Sequence, residues 1–453
     1  MAVVSKTHVR DTTIGTGTGN FTLLNVSTNN SITVSSAMSV NDLFKYVIIQ
    51  QQPQANDEWE IGIGKLLSSN VLQRLAVIES TNGGALVNFS AGKKDVALTP
   101  TAATTYGVAE DLFGDGSDGD TTITNGIILL RSVHFKNVGF ASNGTLDTRR
   151  FMLRVSEVLD LSALTSGGIT AGFNNGTSAT TSAGGSGGAN NSSADIGNTI
   201  TGAAGASGVT NATGGTGSQA SGGAINLAGG IGAAGGIGGA SATQSGGPGG
   251  AIGVTPTGRQ PFTISTDLFL RGTTLLSGGQ SGSGGGAGGG TVATAGAGGG
   301  GGGSSGGWLA IWARIILTGS GNPVGTFSAI GGNGGNGASI TGSAIGGGGG
   351  GAGGGGGVIW VVYQVRTGPT VTGFFQADGG NGGNGGTANA ACTGGTGGTG
   401  GGPGVLIVWD FERLIGKRTP GNAGSTTNGS AATVASTFTG TTGGAGGTCR
   451  QDL

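Results

Sequence analysis

The heptapeptide GGNGGNG occurs at residues 331–337 and again, unchanged, at 379–385. Glycine loses more backbone freedom on folding than any other residue. A chain that spends glycine in a three-residue beat therefore either stays unfolded there or holds it in a special way. A period of three matches a polyproline-II-type helix, with three residues per turn and a rise of about 3.1 Å. In such a helix the asparagines line one edge and the other two edges are bare backbone. Bare backbones can approach closely and exchange N–H to C=O hydrogen bonds, with Cα–H to O contacts as a lesser aid. GGTGGTGGG at 394–402 keeps the same beat.

The beat sits inside a longer repeat. The six-glycine run 298–303 returns at 346–351, and Trp312 and Trp360, Gly325 and Gly373, Phe327 and Phe375, and Ala329 and Ala377 are each 48 apart. One unit reads as glycine tract, apolar strand, Gly/Pro turn, short second strand and GGN beat. The strands are 307–319 (GWLAIWARIILTG), 357–368 (GVIWVVYQVRTG) and 404–416, with a weaker copy from 261 to 290. Ordering glycine costs about 1–2 kcal/mol per residue, and the buried Leu, Ile, Val and Phe of these strands supply roughly 1.5–3 kcal/mol each. Strict spacing argues against a linker.

Outward from this repeat the chain divides into five parts. Residues 1–107 read as a small β domain, with short strand-like runs at 20–26, 31–36, 44–51, 58–66, 72–80 and 94–100; 35–47 also has room for a helical turn. Residues 108–170 read as stacked strands around 125–135 and 150–162. Residues 171–258 are Gly, Ser, Thr, Ala and Asn with few large side chains, and read as flexible loops. Residues 259–416 hold the strand and polyglycine-II repeats, and 417–453 is a polar Gly/Thr-rich tail. The predicted fold class is all-β with glycine-rich polyglycine II helices.

Composition narrows the function. Glycine is 109 of 453 residues, against about 7% in ordinary proteins, but nine prolines are too few for collagen. A net charge of -1 with 9% charged residues argues against a nucleic-acid partner. No apolar run approaches the ~20 residues of a membrane helix, so no membrane insertion is expected, and Met1–Thr13 carries no signal-peptide pattern. Two cysteines, Cys392 and Cys449, are expected as free thiols. His8 and His134 are the only histidines and read as structural. Asp410 and Glu412 lie on one face of a strand, but carboxylates are scarce for a glycosidase. Asp115, Asp118 and Asp120 in GDGSDGD resemble an oxygen-rich loop without EF-hand spacing and read as a solvated turn. No Walker lysine follows any Gly-rich stretch. No enzyme activity, cofactor or metal is expected.

Two stretches resemble phage proteins. RDTTIGTGTGNFTL, EWEIGIGKL and VIESTNGGALVNFSAGKKDVAL within 1–100 resemble an N-terminal β domain of tailed-phage fibre and structural proteins. FGDGSDGDTTI and SVHFKNVGFASNGTLDTRRFMLRV look like the D-G-S-D-G segment of phage fibres, although SVHFKNVGF replaces a tyrosine-rich stretch there. The glycine region is similar in style to polyglycine-helix adhesins at the tips of T-even-like tail fibres. The resemblance implies a virion component made in the host cytoplasm. It would be a homotrimer attached through residues 1–107 to other tail or virion proteins, with the glycine-rich part binding a host glycan or outer-membrane protein. Receptor contacts would then fall in the loops 173–200, 209–222, 338–345 and 386–393, with Asn174, Asn175, Asn190, Asn191, Asn211, Thr341 and Asn389 as candidates. A capsid- or neck-bound decoration fibre and a tailspike depolymerase are the alternatives.

Overall fold

The computed structural model describes residues 9–25, 31–51, 58–99, 112–189, 202–210, 212–219, 232–251, 281–340, 344–388, 392–410, 415–420, 445 and 450–451. Among these the chain is all-β, with one short helix, α1 (Val34–Ala37). The sequence suggests a strand over 31–36. Instead the Thr33 hydroxyl accepts the Ser36 N–H at 3.3 Å and caps a turn of helix.

The first sheet is antiparallel. It contains β1 (Arg10–Thr13), β2 (Phe21–Thr22), β3 (Leu43–Gln50), β4 (Trp59–Ser68), β5 (Val71–Ser80) and β6 (Lys94–Leu98), ordered β1-β6-β3-β4-β5-β2. One face buries Phe21, Phe44, Tyr46, Ile48, Leu72, Phe89 and Val96. Within it the Arg74 guanidinium lies 3.1 Å from the Glu60 carboxylate, which also accepts the Tyr46 hydroxyl at 2.6 Å and the Val87 N–H at 2.7 Å. Burial first, then the Glu60 charge, raises the Tyr46 phenol well above its ordinary range.

The rest of the chain coils. The long strands are β7 (Thr121–Ile123), β9 (Val133–Phe140), β11 (Leu153–Asp160), β13 (Trp308–Leu317), β15 (Val358–Thr367), β17 (Val405–Asp410) and β18 (Ile415–Pro420). The short ones are β8 (Ile127–Ile128), β10 (Thr145–Asp147), β12 (Gly168–Thr170), β14 (Phe327–Ser328), β16 (Phe375–Gln376) and β19 (Arg450–Gln451). From β9 to β17 the chain alternates between the two sheets and every pairing is parallel; only β18 and β19 add antiparallel edges. Each turn of the coil thus lays one rung in each sheet, as in a β-solenoid.

Registers stack like on like. Val133, Leu153, Ile311, Val361 and Val408 form one continuous inward row of the long sheet. Leu146, Ile169, Phe327 and Phe375 form the facing row of the short sheet. Phe327 meets Phe374 and Phe375 with ring centroids at 4.9 and 5.5 Å. The 48-residue offset holds where Phe327 pairs with Phe375 and where the Gly325 N–H donates to the Gly373 carbonyl. In the long sheet Trp308 pairs with Val358, an offset of 50. Trp312 therefore sits diagonal to Trp360, with rings at 5.3 Å and 73°, and the even slip keeps both on the outer face. The antiparallel sheet packs on this outer face through Leu43, Ile63, Ala76, Ile315 and Val365, and the Lys65 ammonium reaches the buried Glu157 carboxylate at 3.0 Å.

Candidate functional site

Between strands the chain leaves the coil in glycine segments, and their hydrogen bonds run in threes. Gly299, Gly300 and Gly301 donate to Ala206, Gly349 and Thr177; Gly302, Gly303 and Ser304 donate to Ala203, Ala352 and Asn174 on the same three neighbours. The carbonyls of Gly299, Gly300 and Gly301 accept from Gly185, Gly285 and Gly335, and those of the next three from Gly188, Gly282 and Gly332. The 298–304 segment therefore touches six others, three as donor and three as acceptor. Every residue of it is buried. Segments 281–290 and 346–354 show the same cycle and are buried throughout.

Only glycine satisfies most of these positions. A Cβ on Gly300 would lie 2.0 Å from the Gly335 carbonyl oxygen, and on Gly350 2.0 Å from that of Gly383. Runs of pure glycine thus mark the interior of the array. Runs with a third residue mark its wall, where one edge faces outward.

Described residues of the expected loop region 171–258 belong to this array. Gly185, Gly188, Gly205, Gly236 and Gly247 all bond to neighbouring segments through backbone groups. Small side chains carry no apolar period, so the sequence gives no sign of these partners. Of the weaker copy placed at 261–290, residues 261–280 lie outside the described residues, as do the Cys449 thiol and Glu412. Cys392 is a free, buried thiol.

On the GGN wall the asparagines form a ladder. The Asn175 Oδ1 accepts the Asn333 N–H at 2.8 Å, and the Asn333 Oδ1 accepts the Asn381 N–H at 2.8 Å. One step along, Ser178 Oγ accepts from Asn336 at 3.2 Å and Asn336 Oδ1 from Asn384 at 2.8 Å; further still Ser339 Oγ accepts from Thr387 at 3.0 Å. Each side chain satisfies the outward backbone N–H of the next segment, which would otherwise have only water. A threonine ladder does the same elsewhere: Thr393 and Thr396 hydroxyls accept from Ala240 and Ile237.

Of the predicted contact residues, Asn174 and Asn175 are at the sheet end of the array. The Asn174 N–H donates to Ser304 Oγ at 2.8 Å and its Nδ2 to the Ala189 carbonyl at 2.8 Å; Asn175 is the first rung of the ladder. Neither occupies a turn. Asn190, Asn191, Asn211, Thr341 and Asn389 lie outside the described residues.

Of the turns at the opposite end, 180–183 falls within the expected contact loop 173–200, whereas 241–244 and 291–294 were not singled out by sequence. Thr180, Ser241 and Thr291 each donate their N–H to the carbonyl three residues on, at Ala183, Gln244 and Thr294, with distances of 3.2, 2.8 and 2.8 Å. They are neighbours: Gly208 donates to Ser182, Ser241 Oγ to Gly290, and Gly296 to Val209. Val292 is 79% exposed and Val209 49%. Each turn begins at a Ser or Thr inside a break of glycine-free sequence, at 177–183, 240–245 and 291–295, and that break is the signal that finds them.

The acidic loop has partners of its own. Asp115 accepts the Ser117 N–H at 3.0 Å, and that bond first, with His134 contributing last, holds its carboxyl down at about 2. Asp118 pairs with Arg131 and accepts the His134 N–H at 2.7 Å. Asp120 accepts from Asn137 at 2.9 Å. Among the described residues no group of three His, Cys, Asp or Glu is placed to hold a metal, and no helix is long and apolar enough to cross a membrane. Compared with known protein families, with curated proteins and with solved structures, the chain matches none.

Proposed function

We propose that this chain is a structural virion protein of a tailed phage: a tail-fibre adhesin, not an enzyme, attached through residues 1–107. The glycine segments act as polyglycine II helices, repeated with the coil strands, and hold the turns against the host surface. The observation that carries this reading is the grouping of turns 180–183, 241–244 and 291–294 at the end of the array farthest from the sheets. A backbone-locked array is stiff without needing large side chains, and it leaves the turn residues free to vary. Their Ser, Thr and Gln side chains and the exposed valines offer hydrogen bonds and small apolar contacts to a host glycan or outer-membrane protein.

The three-residue hydrogen-bond cycle supports the helix assignment, since three residues per turn returns each edge to the same neighbour. A homotrimer is the assembly that the resemblance to phage fibres implies, and light scattering that gives a monomer mass would remove it. The placement is tested by immunogold electron microscopy of intact particles with antibody against residues 259–453. Gold at the tail or its fibre ends is expected. Gold over the capsid would replace the adhesin by a decoration fibre, and no gold on accessible particles would sink the virion reading. Release of oligosaccharide from host polysaccharide would make the protein a depolymerase instead.

A further inference from the structure

The seam where the antiparallel sheet meets the coil brings a lysine and an asparagine to one glutamate. Lys65 lies two residues beyond Ile63 on β4 and shares its face, beside the apolar seam of Leu43, Ile63, Ala76, Ile315 and Val365. Its ammonium touches Glu157 Oε2 at 3.0 Å, and the two side chains are 12% and 3% exposed. The same oxygen accepts from Asn137 Nδ2 at 3.4 Å. One carboxylate oxygen therefore bridges an amine and a carboxamide.

A β-bulge builds this site. Val155 and Val158 are three residues apart on β11, but their partners Phe135 and Asn137 on β9, and Ala313 and Ile315 on β13, are two apart. The extra residue disrupts the ladder locally and re-aims side chains. Arg314 Nε donates to the Ser156 carbonyl at 2.7 Å, and the Val158 N–H turns to Asn137 Oδ1 at 3.2 Å. Asn137 Nδ2 also donates to Asp120 Oδ1 at 2.9 Å. These partners fix the orientation of the carboxamide, with an N–H on its oxygen and carboxylates on its nitrogen. That polarity suits attack at the carbonyl carbon. The N–H steadies negative charge on the oxygen, and a carboxyl group can hand a proton to the departing nitrogen.

We infer that Lys65 and Asn137 join in an isopeptide bond, with Glu157 as the proton carrier. A proton passes from the Lys65 ammonium to Glu157 and leaves a neutral amine, the nucleophile. Nζ attacks Asn137 Cγ and the Nζ–Cγ bond forms. Glu157 gives its proton to Nδ2, the Cγ–Nδ2 bond breaks and ammonia departs. The new amide nitrogen sheds its surplus proton through Glu157 to the ammonia. Ammonium is the sole by-product, and no oxidant or cofactor is consumed. The bond ties the antiparallel sheet to the coil and constrains the unfolded chain as a disulfide does.

The test is tryptic digestion of the full chain, purified in its folded state, followed by tandem mass spectrometry. Trypsin does not cut after an acylated lysine. The expected product is a branched peptide of residues 46–74 and 137–149, lighter than the two linear peptides together by one ammonia. A succinimide elsewhere in the chain loses the same mass, so the branch decides and the intact mass does not. Glu157→Gln and Lys65→Arg are each expected to lose the branch and release 137–149 as a linear peptide. If either variant fails to fold, the digest of the parent still decides. Recovery of 46–65 and 137–149 as separate peptides from the folded parent would overturn the inference. So would a branch that forms as fully in Glu157→Gln as in the parent.

Discussion

Phe327 and Gly335 lie eight residues apart, and both are buried, yet they are held by different means. Phe327 is in the coil, where its ring fills space between two sheets and its backbone makes an ordinary parallel ladder. Gly335 is in the array, where its N–H donates to Gly301 and its neighbours crowd any Cβ to 2.0 Å. In the coil the side chain is what is buried, and the backbone follows. In the array the backbone is what is buried, and a side chain is an obstruction. The comparison teaches that close packing does not require large residues, provided each buried N–H and C=O finds a partner.

The sharpest way to break this contrast is to put a side chain where the backbone belongs. Gly350→Val would set a Cβ 2.0 Å from the Gly383 carbonyl oxygen, with backbone on both sides that cannot yield. It is expected to cost more than about 5 kcal/mol, beyond the common range for single substitutions, and to abolish soluble folded protein in an expression and thermal-melt assay. Gly19→Ala, where nothing lies within 4 Å, is expected to melt like the parent.

The reverse operation removes a side chain from the coil. Phe327→Ala is expected to lose about 3–5 kcal/mol in denaturant titration while leaving amide exchange in 331–337 slow. If those amides open as well, the coil and the array unfold as one unit. In the antiparallel sheet, Arg74→Met strips the partner from Glu60, whose side chain is fully buried, and is expected to cost about 3–5 kcal/mol. The smallest effect belongs to the ladder. Asn336→Ala removes the acceptor of the Asn384 N–H, which is expected to cost about 0.5–1.5 kcal/mol and to speed exchange at that amide alone.

Much of the coil is legible in the sequence because side chains announce it. The runs 307–319, 357–368 and 404–416 become β13, β15 and β17 with the start of β18, and 150–162 becomes β11. The run 125–135 divides into the short β8 and the start of β9, which belong to different sheets. The GGN beat and its 48-residue spacing are also legible, and the outward asparagine edge follows from them. What the sequence conceals is which segments meet. Gly185 and Gly299 are bonded across more than a hundred residues, and nothing in a run of Gly, Ser and Ala distinguishes one partner from another. The same blindness hides that Asn174 donates to Ser304 and Ala189 and that the Asn175 side chain accepts from Asn333.

The three-residue cycle of hydrogen bonds has a consequence for how such a molecule can change over generations. An insertion of one or two residues in a buried pass would rotate every later edge away from its partner, whereas three residues advance the pass by about 9 Å and return each edge to register. Length is therefore quantised, and because each interior pass is shared by six others, a longer array must gain its triplets in all of them together. Width follows a different rule. Adding one more coil turn between β17 and the edge strand β18 appends a pair of passes while displacing only the antiparallel edges. Lineages of this architecture are thus expected to differ in the number of passes and in the spelling of their turns far more readily than in reach.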